Sequence, residues 1–198
     1  MDEREHYRQL AEVTPSHPWD STVAILIRRG NQLAQHGTGT LFSIGEDAFL
    51  VTAAHVVQSA KDTDAALYVA TPERAFLQLV GNCFLSADED GADVLDVALF
   101  SLNGALKQAF RSARWLRLSD VSIDFDVPSA VYCVYGYPAI WTHKSDTNPS
   151  SLDTRPLQYA TYTYDDSTSA LKDFDDRFHI ALAASLDDTR DENATPVD

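Results

Sequence analysis

Short apolar runs separated by turn residues are the feature that most restricts how this chain can fold. They are rich in Val, Ile, Leu and aromatic residues, and turn signals such as Gly30-Asn31 and Gly45-Glu46-Asp47 divide them. Short strands alternating with such turns are typical of all-β sandwiches and barrels, so the pattern predicts an all-β fold. The runs are STVAILIRRG, GTGTLFSI, AFLVTAAHVV, AALYVAT, FLQLVGNCFLS, VLDVALFSL, SAVYCVYGYP, LQYATYTYDD and RFHIALAAS.

Three regions fall outside this strand pattern. Residues 1–18 are charged, with apolar residues spaced for one helical face before two prolines, and they predict a short helix or arm. The polar residues 142–156 predict a long surface loop. The acidic residues 186–198 predict a structureless tail.

The charge of the chain restricts its partners. Among its 198 residues, acidic side chains exceed basic ones and give a net charge of -15. Nucleic-acid phosphates and anionic membrane surfaces both select clustered Lys and Arg, so we expect neither as a partner. The first residues, MDEREHYRQLAEV, lack the apolar core of a secretory signal, and no run is long enough to cross a bilayer.

The cysteines and histidines predict no metal site or disulfide framework. Cys83 and Cys133 form no metal motif, and two cysteines are too few for a disulfide scaffold. The six histidines are scattered. The acidic run SADEDGAD lacks the ligand spacing of a calcium loop. We therefore expect a cytoplasmic protein without metal or cofactor.

Two titratable residues interrupt apolar runs, and they are the candidate site. His55 ends the run AFLVTAAHVV, and Asp96 lies within DVLDVALF. A buried imidazole costs free energy unless a partner compensates, so His55 is either a satisfied core residue or a group placed to move protons. An aspartate that accepts from the imidazole N–H would fix its tautomer and stabilise the imidazolium.

Three of these segments resemble a known family when read in order. GTGTLF, FLVTAAHVV and DVLDVALF are similar to the successive strand motifs of trypsin-like (chymotrypsin-fold) serine proteases, and VYCVYGYP resembles the strand that opens their second barrel. The resemblance implies that His55 is the general base and acid and that Asp96 orients it. Asp93 fits less well because Val94 and Leu95 follow it where the family has D-[ILV]-A.

The resemblance also implies a two-β-barrel architecture. Residues 19–125 would form a complete first barrel that carries the His and the Asp, and residues 126–198 an incomplete second barrel with a polar tail. Extracellular members usually have a cysteine directly after the histidine, bonded to a partner upstream. This chain has Val56 there, as expected for disulfide-free intracellular members.

The nucleophile motif of the family is missing from the sequence. The family's serine lies in G-x-S-G-G, whose glycines let backbone N–H groups form the oxyanion hole, but no glycine follows Gly136. Cys133 lies in the strand that would open the second barrel and is an unsuitable replacement. The later serines also lack glycine neighbours, among them Ser150, Ser151, Ser167, Ser169 and Ser185. We expect a C-terminal continuation or a second chain to supply the serine and the oxyanion hole.

The expected function is therefore that of a cytoplasmic serine endopeptidase acting on polypeptide substrates. Its His-Asp-Ser triad would take its serine from outside these 198 residues, so the chain alone would be inactive. The alternative is a non-catalytic trypsin-fold module that binds a protein partner and keeps His55 and Asp96 as core polar groups.

Overall fold

A computed structural model describes nine segments of the chain, and most of their residues lie in β-strands. The described residues are 17–30, 32–86, 95–122, 132–138, 143–144, 152–153, 157–161, 182 and 190–191. Their sheets are largely antiparallel, which confirms the all-β class. The expected helix at residues 1–13, the acidic run at residues 87–93 and most of RFHIALAAS lie outside them.

The secondary structure is a series of short elements. The helices are α1 (His17–Ser21), α2 (Ala54–Asp62) and α3 (Gly104–Ala109), with a 3-10 turn at Leu118–Asp120. The strands are β1 (Thr22–Arg29), β2 (Gln32–Ile44), β3 (Asp47–Ala53), β4 (Leu67–Ala70), β5 (Phe76–Gln78), β6 (Cys83–Leu85), β7 (Val97–Ser101), β8 (Leu116–Arg117), β9 (Tyr132–Gly136), β10 (His143–Lys144), β11 (Leu152–Asp153), β12 (Leu157–Thr161) and β13 (Arg190–Asp191).

The chain divides into two compact units. The larger unit contains Ser16–Val121 and Gly136–Pro156, and the smaller contains Met1–Pro15, Ser122–Tyr135 and Leu157–Asp198. No helix of the described segments is long and apolar enough to cross a membrane.

The larger unit is built on one curled sheet. Its strands follow the order β5-β4-β1-β2-β3-β7-β6, with antiparallel neighbours, and β8 adds in parallel to β2. The end strands β5 and β6 are joined by only a few residues, and backbone hydrogen bonds tie these residues to β4 at one end and to β7 at the other. The Leu79 N–H donates to the Leu67 carbonyl (2.8 Å), and the Ser101 N–H donates to the Asn82 carbonyl (2.9 Å). The two ends of the sheet are therefore brought close to each other.

The core lies inside this curl. Its residues come from alternate positions of the strands and from one face of helix α2. Alternate residues of the strands point inward, such as Leu50 on β3 and Phe100 on β7. Strand β1 is buried over five successive residues, which explains its unbroken apolar run. Helix α2 adds Val56, Val57 and Ala60 at helical spacing.

The GTGT segment of β2 is glycine-rich because two neighbours approach its backbone closely. A Cβ atom on Gly39 would lie 2.8 Å from Leu50 Cδ1 and 3.2 Å from Ile25 Cδ1, inside the packed core. A Cβ atom on Gly37 would lie 2.9 Å from Val56 Cγ2, on helix α2. The missing side chain at Gly39 thus leaves room for core side chains, and the missing side chain at Gly37 leaves room for helix α2.

Two expectations about irregular regions are wrong. The predicted loop 142–156 contains the strands β10 and β11, in which His143 pairs with Asp153. The predicted structureless tail contributes β13, in which Arg190 pairs with Gln158 of β12. In the smaller unit, β12 lies between β13 and β9. Strands β10, β11 and β13 are each two residues long and lie in polar stretches of sequence, so hydrophobic patterning does not detect them.

Two helices were also missing from the sequence-based prediction. Helix α3 begins after Asn103, whose side-chain oxygen accepts from the Leu106 N–H (3.0 Å) as an N-cap. Pro18, expected to end a helix, instead lies in the first turn of α1, where a missing N–H removes no helical hydrogen bond.

Candidate active site

His55 is the second residue of helix α2. The interpretation of AFLVTAAHVV as one strand is wrong, because β3 ends at Ala53 and the helix begins at Ala54. The imidazole is also not buried, since 74% of the side chain is exposed. His55 is therefore not a core histidine, and its place at the surface leaves the ring accessible.

Asp96 is the residue directly before β7, and β7 is the strand that pairs with β3. The pair Ala53–Val97 ends the register of these antiparallel strands, so the residues just outside it, Ala54 and Asp96, come together. Asp96 has a φ of 46°, in the left-handed region that aspartate tolerates better than most residues. Its side chain is 49% exposed, so the expectation of a buried carboxylate inside a strand is wrong.

The Asp96 carboxylate holds His55 through both of its oxygens. His55 Nδ1 lies 2.6 Å from Asp96 Oδ2, and the His55 backbone N–H donates to Asp96 Oδ1 at 2.9 Å. The Ala54 N–H donates to the Asp96 carbonyl at 3.0 Å. Because a carboxylate accepts, the contact places a proton on Nδ1 and leaves Nε2 as the basic nitrogen. Nε2 makes no hydrogen bond to the described residues.

The same carboxylate also caps helix α2. The N-cap residue is Ala53, which has no polar side chain, so the first N–H groups of the helix depend on another partner. Burial raises the pKa of Asp96, but hydrogen bonds from the His55 backbone and ring, the His55 charge and the Ala54 N–H outweigh it. The pKa of Asp96 therefore lies below its ordinary value, and the group is ionised at neutral pH.

Asp96→Ala is expected to lower the free energy of unfolding at pH 7 by about 1 to 2 kcal/mol, measured by urea denaturation. The loss combines a missing helix cap with an alanine forced to positive φ. Asp96→Asn is the matched control, because asparagine accepts the same N–H bond and tolerates the same φ.

The advantage of the wild type over Asp96→Asn is expected to depend on pH. A carboxylate whose pKa is lowered by folding stabilises the protein above its unfolded pKa, near 3.9, and this contribution is lost as pH falls through the folded value. The difference should thus be present at pH 7 and vanish in acid. A difference that persists undiminished in strong acid, where the carboxyl is protonated in both the folded and the unfolded chain, would contradict the pairing.

The remaining candidate residues do not join this pair in the described structure. Asp93 lies outside the described residues, as do the serines that follow Gly136. Cys133, which is half-buried in β9, and Cys83 form no disulfide. Across the described segments, no three His, Cys, Asp or Glu side chains are grouped so that they could hold a metal ion.

Sequence reasoning missed one polar group that contacts the helix carrying His55. This is His36 of β2, which lies within 3.0 Å of the Val56 carbonyl oxygen. The available signal was its position directly before the GTGT segment, since a residue next to a close backbone approach is itself close to the approaching helix.

Comparisons with known proteins give this chain no family. No family model matches the sequence, and no curated protein matches it either.

Proposed function

We propose that this chain supplies the general base and its orienting carboxylate to a trypsin-like serine endopeptidase. His55 is the base and Asp96 the orienting group. The serine and the oxyanion hole come from polypeptide outside these residues, as a continuation or a second chain.

The observation that carries the proposal is the geometry of the His55–Asp96 pair. The Nδ1 side of the ring is held at 2.6 Å by a carboxylate whose pKa is lowered, while the ring itself is largely exposed. A general base of this kind needs one nitrogen fixed by an acceptor and the other free to receive a proton. A core histidine kept for stability would be buried, and this one is not.

The fold supports the same proposal. The curled sheet of the larger unit corresponds to a first barrel, and it presents the pair where β3 ends and β7 begins. The three-stranded sheet β9-β12-β13 corresponds to part of a second barrel. GTGT, TAAH and DVALF lie on adjacent elements, which is the arrangement expected if their order in the sequence reflects that family.

The proposed reaction is peptide hydrolysis through an acyl-enzyme. The serine oxygen attacks the carbonyl carbon of the substrate while its proton moves to His55 Nε2. The imidazolium then donates this proton to the departing amine, and a water repeats the sequence to release the acid. Asp96 stays ionised throughout, which the lowered pKa of its carboxyl favours.

The test is to produce the chain together with the coding sequence that follows it in its gene. We expect that sequence to contain G-x-S-G-G and the joined product to cleave a peptide substrate. The serine should also be labelled by a fluorophosphonate, which reacts only with an activated nucleophile.

The same experiment distinguishes the alternative. A gene product without the serine motif, which shows neither hydrolysis nor labelling even when it is produced together with a separate fragment carrying G-x-S-G-G, would overturn the protease proposal and favour the partner-binding module. Labelling that persists when His55 is replaced by Ala would likewise contradict the assignment of His55 as base.

A further inference from the structure

We propose that His36 is a positioning residue for His55, acting through the first turn of helix α2. This inference rests on the proposed function, because it assigns His36 a role in the same site. His36 does not touch Asp96 or the exposed face of the His55 ring. It holds the backbone segment on which the ring is mounted.

The contact is a three-centre hydrogen bond from the His36 ring. Its Nε2 lies 3.0 Å from the Val56 carbonyl oxygen and 2.8 Å from the Ser59 hydroxyl oxygen. A carbonyl oxygen can only accept, so Nε2 carries a proton and donates. The Ser59 hydroxyl donates to the same carbonyl at 3.2 Å. His36 therefore joins β2 to one turn of α2.

The neighbouring residue extends this attachment through packing. Gly37 leaves room for the Val56 side chain, whose Cγ2 would be only 2.9 Å from a Cβ atom at that position. Strand β2 is held in turn by the Thr52 hydroxyl, which donates to the Thr38 carbonyl at 2.7 Å. Two adjacent residues of β2 thus hold Val56: His36 binds its carbonyl oxygen, and Gly37 packs against its side chain.

The position of this attachment explains why it matters for His55. Asp96 binds the N–H groups of Ala54 and His55, on one side of the helix start. His36 binds the next residue, Val56, from another strand. Asp96 and His36 thus hold successive residues of the helix start from two different strands, and together these contacts set the direction of the His55 ring.

The test is the tautomer of the neutral His55 ring in the 198-residue chain. It is measured by long-range proton–nitrogen NMR at a pH high enough that the ring nitrogen shifts no longer change with pH, so that the ring is neutral. A ring held by Asp96 carries its proton on Nδ1, whereas a released ring relaxes toward the ratio found in the same chain unfolded in urea. A purely structural role for His36 would lower stability without changing this ratio.

His36→Leu is expected to lower the Nδ1–H fraction of His55 by about half or more, because the helix start loses its side-chain hydrogen bond from β2. His36→Gln should restore it, since the glutamine amide nitrogen can take the place of Nε2. His36→Asn is a second polar variant whose amide is too short to reach Val56, and it should behave like the leucine variant.

Two outcomes would overturn the proposal. One is an unchanged tautomer ratio in a folded His36→Leu or His36→Asn variant, and the other is a loss in His36→Gln equal to that in His36→Asn. Because the readout needs no peptidase activity, its failure leaves the proposed reaction standing. Failure of the hydrolysis test leaves the positioning contact standing.

Discussion

His55→Ala is expected to reduce kcat of the proposed peptidase, with its serine-containing segment present, by about 10⁴- to 10⁶-fold, the largest effect that we expect of a single change in this chain. Alanine leaves the serine without a proton acceptor, so only the oxyanion hole and substrate binding remain to catalyse the reaction. The measurement is the initial rate of peptide hydrolysis with the serine-containing segment present. KM should change little, because the lost interaction forms with the transition state.

Asp96→Asn is expected to lower kcat by about 10⁴-fold in the same assay. The amide can donate to Nδ1 as well as accept, so the ring can adopt the tautomer that places the proton on Nε2, where it no longer acts as a base. The variant keeps the backbone hydrogen bond that caps α2, so the loss of rate should come without a matching loss of fold.

Gln58→Ala is the matched control for both variants. Gln58 is exposed on the same helix, and its side chain bonds Asp62 rather than the His55–Asp96 pair. Its replacement should change kcat by no more than about twofold. Retention of more than about a tenth of the wild-type rate in His55→Ala, with the control active, would contradict the role of His55 as base.

Much of the sheet could be predicted from the sequence, but the helix that carries the site could not. Strands β1, β2 and β3 follow apolar runs bounded by turn residues, and these signals are local. The run AFLVTAAHVV begins as strand β3 and ends as helix α2, but it stays apolar throughout because the helix also buries Ala54, Val56 and Val57. A continuous apolar run fits a buried strand and a buried helix face equally well.

The pairing of His55 with Asp96 was predicted, whereas its environment was not. The resemblance implied the two residues, but their exposure depends on where β3 and β7 end in register and on the positive φ of Asp96. These are properties of the folded sheet, and composition and spacing do not contain them. The contact from His36 was missed for the same reason, because it joins elements that meet only in the fold.

A large effect on stability rather than on activity is expected at Val56, which stands where extracellular members of the proposed family usually have a cysteine. The Gly37→Cys/Val56→Cys double variant is expected to form a disulfide under oxidising conditions. A Cβ atom built on Gly37 lies 3.5 Å from Val56 Cβ, within the range of about 3.5 to 4.5 Å seen in disulfides. Replacing valine by cysteine also removes the γ-methyl groups that a Cβ at residue 37 would meet.

The oxidised double variant should be more stable than its reduced form by about 3 kcal/mol, because the bond closes a loop of about twenty residues in the unfolded chain. For a chain of 198 residues, that difference raises Tm by about 6 to 12 °C. The measurement is thermal unfolding with and without reductant, together with free-thiol counting. Each single variant is a control, since the half-buried Cys83 and Cys133 form no disulfide in the structure and should not pair with the new cysteine.

This disulfide tests the packing on which the site depends, independently of any activity. The new bond would join β2 to the residue that follows His55, at the same place where Gly37 now admits Val56 and His36 binds the Val56 carbonyl. If the double variant keeps four free thiols under oxidation while remaining folded, helix α2 does not lie against Gly37. The positions assigned to His55 and His36, which depend on that contact, would then also be wrong. If the bond forms and the His55 tautomer is unchanged, the strand and the helix already meet in the wild-type chain as they do in the structure.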